Sequence, residues 1–354
     1  MARSRSRPAT GTAAAAAAVA LAGAAAAGGK LVHDRRAGAQ APDRDLAYRL
    51  RADEYVPDAI RRVARGQLAR AQEQLGDGAR ADPGEAVHDT RKRLKRLRAC
   101  LRLARPALGD EVYERENTAF RMAGRRLSGS RDAQVLAETL DALAARFEQE
   151  LRPAAVEPLR ARLREEQERA RAALGGDGAS IELTRAELSD AAARVAAWTL
   201  DAEGFAAVKP GLRQIYGRGR KRIRAAAADP TDANLHEARK RVKDLWHATQ
   251  LVRPAAPKRL KRLSQRAHDL ADLLGDDHDL AVLREYVQRH PQCFADEASR
   301  NALLAVLDRR RTVLQRRALK LGRELYDPSP KRFVASIERG WRKRAAPSPQ
   351  PLAG

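Results

Sequence analysis

Two short stretches concentrate the side chains that handle phosphate. Val87-His88-Asp89-Thr90-Arg91-Lys92-Arg93-Leu94-Lys95 recurs as Leu235-His236-Glu237-Ala238-Arg239-Lys240-Arg241-Val242-Lys243. In each, a histidine heads a run of cations three and four apart, the interval at which side chains share one face of a helix. Arg offers a planar fork matched to phosphate oxygens, Lys a point charge, and His a donor whose charge responds to a nearby anion. At 100° per residue, His88, Arg91, Lys92, Lys95, Arg98 and Arg102 fall on one face, with Leu94, Leu97, Leu101 and Ala104 opposite. From His88 to Arg105 there are eight basic residues and one acid, Asp89. Like charges therefore stack at i,i+4, which destabilises a bare helix and is relieved by an anion. A merely solvated surface helix is the plain alternative. The second copy keeps His236, Arg239, Lys240 and Lys243, with Val242, Leu245 and Val252 behind them. Asp244, Trp246 and Gln250 replace Arg96, Arg98 and Arg102, so the second face is expected to be the weaker one.

Neighbouring segments add charge. Lys209 to Arg224 carries seven basic residues, Arg220 and Lys221 among them, and no acid; Lys258, Arg259, Lys261 and Arg262 open a later segment. Rows of cations suit a long polyanion better than a single phosphate. No catalytic residue, metal ligand or cofactor is assigned, and the chain is expected not to be an enzyme. The chemical rival is a metal-dependent HD-type phosphohydrolase, because His33-Asp34, His88-Asp89, His268-Asp269 and His278-Asp279 are His-Asp steps. The cations around His88 oppose a divalent metal, and Asp276, Asp277, His278 and Asp279 read more simply as an acidic helix cap. His88 and His236 are expected to donate hydrogen bonds to phosphate, the alternative being histidines that satisfy helix-start backbone. Asp132 and Asp279 are expected to orient helices or Arg side chains. Nucleic acid is the competing polyanion. Readers of single strands add stacking aromatics, whereas Trp198, Trp246 and Trp341 stand apart. The chain shows no helix-turn-helix, RNA-recognition or P-loop signature.

The elements that carry these residues must be helices. The apolar content is 44% but aromatics are only 4%, and Ala and Leu dominate, the residues best suited to a helix interior. Boundaries are expected at Asp82-Pro83-Gly84, Arg105-Pro106, Gly175 to Gly178, Lys209-Pro210-Gly211, Asp229-Pro230 and Arg253-Pro254. The repeat extends beyond the motif: Arg131-Asp132-Ala133-Gln134-Val135-Leu136 matches His278-Asp279-Leu280-Ala281-Val282-Leu283, and Pro57, Ile60 and Val63 match Pro210, Leu212 and Ile215. Three landmarks in one order indicate two copies of a helical unit, expected at about 46–175 and about 180–345 of one domain spanning 46–345.

The net charge of +23 calls for an anionic partner. Codon bias explains Arg over Lys but not 69 basic against 46 acidic residues. Cys100 and Cys293 form no framework, which excludes a disulfide scaffold and fits a reducing compartment. Residues 1–45 are expected to be a flexible Ala/Arg-rich extension and 346–354 a disordered tail. Arg3, Arg5 and Arg7 before the run from Ala13 to Ala27 also resemble a signal or membrane anchor, though that run has only Val19 and Leu21 beyond Ala and Gly. A cytoplasmic location is expected, with anchoring or export through this segment as the alternative.

From about Leu46 to about Arg344 the chain resembles the conserved histidine α-helical domain (CHAD) family. The resemblance lies in the duplicated His-x-x-Arg-x-x-x-Lys motif, the later Arg131-Asp132 and His278-Asp279 steps, and the opening Tyr48-Arg49-Leu50, Arg61-Arg62 and Gly66-Gln67-Leu68. It implies an all-α bundle of two four-helix repeats with pseudo-twofold symmetry, binding inorganic polyphosphate through basic residues in a central groove. It carries over His88, Arg91, Lys95 and Arg98 from the first motif and His236, Arg239 and Lys243 from the second. Family members are found at polyphosphate or storage granules, often beside a triphosphatase domain that this sequence lacks.

Overall fold

The computed structural model describes residues 48–344 apart from residue 52, residues 128–130 and residue 177. The Ala-rich run with the expected extension, anchor or signal, His33-Asp34 and the Pro-rich tail lie outside the described residues. Within them the regular elements are helices, without a strand. In chain order these are α1 (Val56–Glu73), α2 (Pro83–Leu108), α3 (Asp110–Arg126), α4 (Arg131–Arg146), α5 (Pro153–Gly176) and α6 (Gly178–Ala196), then α7 (Lys209–Ala228), α8 (Asp232–Leu251), α9 (Pro257–Arg289), α10 (Glu297–Leu325) and α11 (Pro330–Arg342).

Local chemistry sets the helix starts. The Asp82 carboxylate accepts from the amides of Gly84 (2.9 Å) and Glu85 (3.1 Å), with Pro83 in the first turn. Thr231, Asp296 and Ser329 cap α8, α10 and α11 in the same way. Arg105-Pro106, expected as a boundary, is not one: α2 runs on to Leu108. In the last turn a proline removes a single backbone hydrogen bond, and the helix ends instead at Gly109, whose φ of 81° is open to glycine.

α2 is the central element. The stripe of Leu94, Leu97, Leu101 and Ala104 is buried as expected, but so are Ala99, Cys100 and Leu103. The cause is packing on two sides: α1 and α3 cover one flank, and α7 and α8 the other. Each fully buried Leu contributes roughly 1.5–3 kcal/mol. α8 is held correspondingly by α7, α9 and α2. α1 packs on α2 and α7 on α8, while α4 packs on α5 and α9 on α10. Arg126 grips Glu187 across α3 and α6 at 2.8 Å, and Arg266 grips Glu324 across α9 and α10 at 2.7 Å. α6 packs against α1 and α3.

Two apolar cores result. The larger joins α1, α2, α3, α6, α7, α8, α11, the first half of α9 and the end of α10; the smaller joins α4, α5, the second half of α9 and the first part of α10. Helix α9 passes from one to the other around Gly275, and Leu273 touches both.

Candidate functional site

The passage between the two cores is where the two motifs meet. α2 and α8 pack directly against each other. Lys95 and Lys243, which occupy equivalent places in the two motifs, come close enough to repel: burial, then Arg239, then Lys95 hold the Lys243 ammonium well below the usual lysine range. Asp272 and Asp279 of α9 act in the opposite sense. Lys243 is half-buried while Lys95 is exposed. Arg239 lies over Gly275 of α9, where a Cβ would come within 3.5 Å of its Nε.

His236 stands beside this cluster with its ring centroid 4.5 Å from that of His278. Its Nδ1 is buried without a hydrogen-bond partner. Burial, Lys240 and Arg239 lower its pKa, and burial, Arg239 and His236 push His278 down to about 4. Both rings are therefore neutral at pH 7, and a phosphate placed among these cations would raise both values. His236, expected to donate to phosphate, thus stands beside His278 with its pKa lowered by burial, Lys240 and Arg239.

Trp246 has a structural place that its spacing did not reveal. Its ring stacks on His268 at 4.6 Å and 10°, and on His247 at 4.7 Å. His268 in turn meets Asp272 at 3.3 Å; burial pulls its pKa down but Asp272 outweighs that, leaving it raised.

Several expected ligand residues are engaged elsewhere. Arg102 forms an ion pair with Asp244 at 3.0 Å, and Arg241 meets the same carboxylate at 2.9 Å. Asp244 is therefore a clamp between the motif helices, and Arg102 does not belong to an open basic face. Arg98 donates to Asn117 of α3 at 3.0 Å; burial and then Arg102 push its pKa down to about 10. Arg91 donates to the Leu127 carbonyl at 3.4 Å, closing the end of α3. Arg96, 2% exposed, lies 5.3 Å from the Tyr48 ring centre and donates to Gln67 at 3.4 Å. The α2 face is thus cationic and open only near its start, at His88, Lys92 and Lys95; Lys92 and Arg93 share Asp89 at 3.8 and 3.0 Å. The helical projection missed this because it assumed one buried flank, whereas α2 has two.

Arg220 donates to the carbonyls of Tyr326 (3.0 Å) and Asp327 (3.3 Å) and so caps the end of α10 instead of joining the motif cluster. Lys221, Lys258 and Arg262 are exposed. Lys240 is exposed and paired with Glu237. The open cavity of about 690 Å³ beside Lys209, Arg213, Ser329 and Lys331 contains none of the motif residues.

Asp277, expected within an acidic cap, is 1% exposed and ties α9 to α10 through Arg311 (3.1 Å) and Gln315 (2.9 Å). Burial raises its pKa even so. Among the described residues no three His, Cys, Asp or Glu side chains converge where a metal would sit. The side chain of Asp132 lies outside the described residues.

One group escaped the sequence reading. Arg310 is 8% exposed, near Arg146 and Arg317. The signal was present: Leu303, Leu307, Arg310 and Leu314 recur at helical spacing, and an arginine inside an apolar stripe is costly unless something compensates it.

Comparison with known proteins follows this geometry. A family model described as the CHAD domain matches residues 62–288. Among solved structures, PptA from Streptomyces chartreusis is similar with a TM-score of 0.55 and 16% identity, covering 77% of this chain and 99% of that one. The crystal structure of the CHAD domain from the plant Ricinus communis has a TM-score of 0.47 and 20% identity, covering 87% and 98%. At these identities the likeness concerns the fold alone. No curated protein matches the chain.

Proposed function

The chain belongs to the CHAD domain family, and from that premise we propose that it binds inorganic polyphosphate, without turning it over, in the cleft where its two motif helices meet. The feature that supports this reading is the gathering of Lys95, Arg239 and Lys243 where the motif helices pack, with burial first, then Arg239 and Lys95, holding the Lys243 ammonium below the usual lysine range. Like charges brought together under partial burial raise the free energy of the empty protein, and a polyanion reverses that cost. The ligand residues are Lys95, Arg239, Lys243 and His236, with His88 and Lys92 at the mouth. Arg98 and Arg102 contribute field and shape through their ties to Asn117 and Asp244. Asp272 and Asp279 hold the cations in place and moderate their mutual repulsion. Attachment to polyphosphate or storage granules would follow from such binding. Among the described residues no helix is long and apolar enough to cross a membrane.

The deciding experiment is competition. Labelled polyphosphate bound to the full chain is displaced by unlabelled polyphosphate, tripolyphosphate, RNA or duplex DNA at equal phosphate concentration. Polyphosphate is expected to displace best, and Lys95→Gln with Lys243→Gln to abolish most binding. Displacement by RNA or DNA at lower concentration would make nucleic acid the ligand. Phosphate release above background with Mg²⁺ or Mn²⁺ would make the protein an enzyme.

A further inference from the structure

We propose that the cavity between α7 and α11 is an anion site of its own, apart from the motif cleft, and that it takes a small organic phosphate, a nucleoside diphosphate or triphosphate in chemical class. The cavity measures about 690 Å³, inside the range of about 300–1,000 Å³ usual for small-molecule sites. Its walls carry the cations Lys209 and Arg213 from α7 and Lys331 from the first turn of α11, and no carboxylate. Arg213 and Lys331 are exposed, and among the described residues neither meets an acid. Lys209 is tied to Glu338 at 2.9 Å, which fixes one end of the cavity. The Ser329 hydroxyl accepts from the Arg332 amide at 3.3 Å and keeps its own hydrogen to donate. A lining rich in donors and free of carboxylates fits a ligand rich in acceptor oxygens.

Packing sets the walls before any ligand arrives. The Tyr216 ring of α7 stacks on Phe333 of α11 with centroids 3.9 Å apart, and its hydroxyl donates to the Leu325 carbonyl at 3.2 Å. Arg220 donates to the carbonyls of Tyr326 (3.0 Å) and Asp327 (3.3 Å), holding the link that leads into α11. With the Lys209–Glu338 pair at the other end, both helices are fixed along the cavity. Its apolar part separates it from a site for inorganic phosphate. Pro210 and Pro330 add ring surface to the lining. At Gly217 a Cβ would sit 3.6 Å from the Pro330 Cγ, so the bare backbone leaves room for a flat ring against the proline. The cations then lie within reach of the phosphates such a ring carries. No motif residue lines this cavity, so the inference does not depend on what the cleft binds.

The test titrates ATP, tripolyphosphate and adenosine calorimetrically into the full chain and into its Lys95→Gln Lys243→Gln variant. ATP is expected to bind both chains with similar affinity, and the other two compounds about tenfold more weakly. Arg213→Gln and Lys331→Gln should each weaken ATP about tenfold, the loss of one charged hydrogen bond. Gly217→Leu should fill the cavity and weaken ATP at least as much with no charge removed. All three should bind polyphosphate as the parent does. Arg213 and Lys331 are exposed, so their variants give the answer even if Gly217→Leu melts early. Parent-like ATP affinity in Arg213→Gln and Lys331→Gln, with binding lost in Lys95→Gln Lys243→Gln, would place ATP in the cleft and overturn the site. Tripolyphosphate binding as tightly as ATP would overturn the organic ligand.

Discussion

His236 and His278 show how a residue acquires a function from its neighbours. Their folded values lie below the ordinary histidine range, with His278 near 4. A histidine kept neutral by the fold supports stability fully above its unfolded pKa near 6.5, and that support is lost as pH falls towards the folded value. The free protein should therefore lose stability as pH falls below 6.5, read as a falling melting temperature that His278→Gln flattens. Polyphosphate raises the same values, so its affinity should increase as pH falls through this window. Calorimetric titration in two buffers of different ionisation enthalpy should then show proton uptake on binding. Asp244 makes the complementary case. Asp244→Ala leaves Arg102 and Arg241 facing each other with side chains only 14% and 22% exposed. Losing one partner of a largely buried cluster should cost about 3 kcal/mol, seen in chemical denaturation, whereas direct loss of a ligand contact would have left stability unchanged.

At the scale of elements, the cleft depends on how closely helices cross. α7 begins against α2 at Gly211, where a Cβ would sit 1.9 Å from the Leu103 carbonyl oxygen. Gly211→Ala should force the helices apart and destabilise by roughly 2–4 kcal/mol. The cap of α2 is more forgiving: Asp82→Ala should cost about 1 kcal/mol. The contrast between the two, measured by thermal melting, separates a packing constraint from a local one. Helix α9 runs without interruption from Pro257 to Arg289 and carries an acidic face. That continuity places Asp272, Asp276 and Asp279 in one line.

At the scale of the whole molecule, a charge of +23 makes association a counterion-release process. The logarithm of affinity should fall linearly with the logarithm of salt, with a slope of about 0.7–0.9 per neutralised phosphate if nucleic acids are a guide. A salt-independent affinity would remove the basic cleft from consideration. The two motifs should also contribute comparably. Sequence substitution at Asp244, Trp246 and Gln250 points to a weak second half, but Lys95 and Lys243 share one centre. Lys95→Gln and Lys243→Gln should therefore each weaken binding to a similar degree, and a much smaller effect of Lys243→Gln would restore the unequal picture.

The sequence by itself determined the helical class, the duplicated motif and the family. Each of these follows from periodicity, propensity or short-range spacing, which act along the chain and survive without tertiary knowledge. It could not say which cations remain available. Arg98 and Arg102 share a projected face with Lys95, yet α3 and α8 take their guanidinium groups. Electrostatic availability depends on which charges meet across helices, and that is decided by the two-sided burial of α2 and the passage of α9 between two cores.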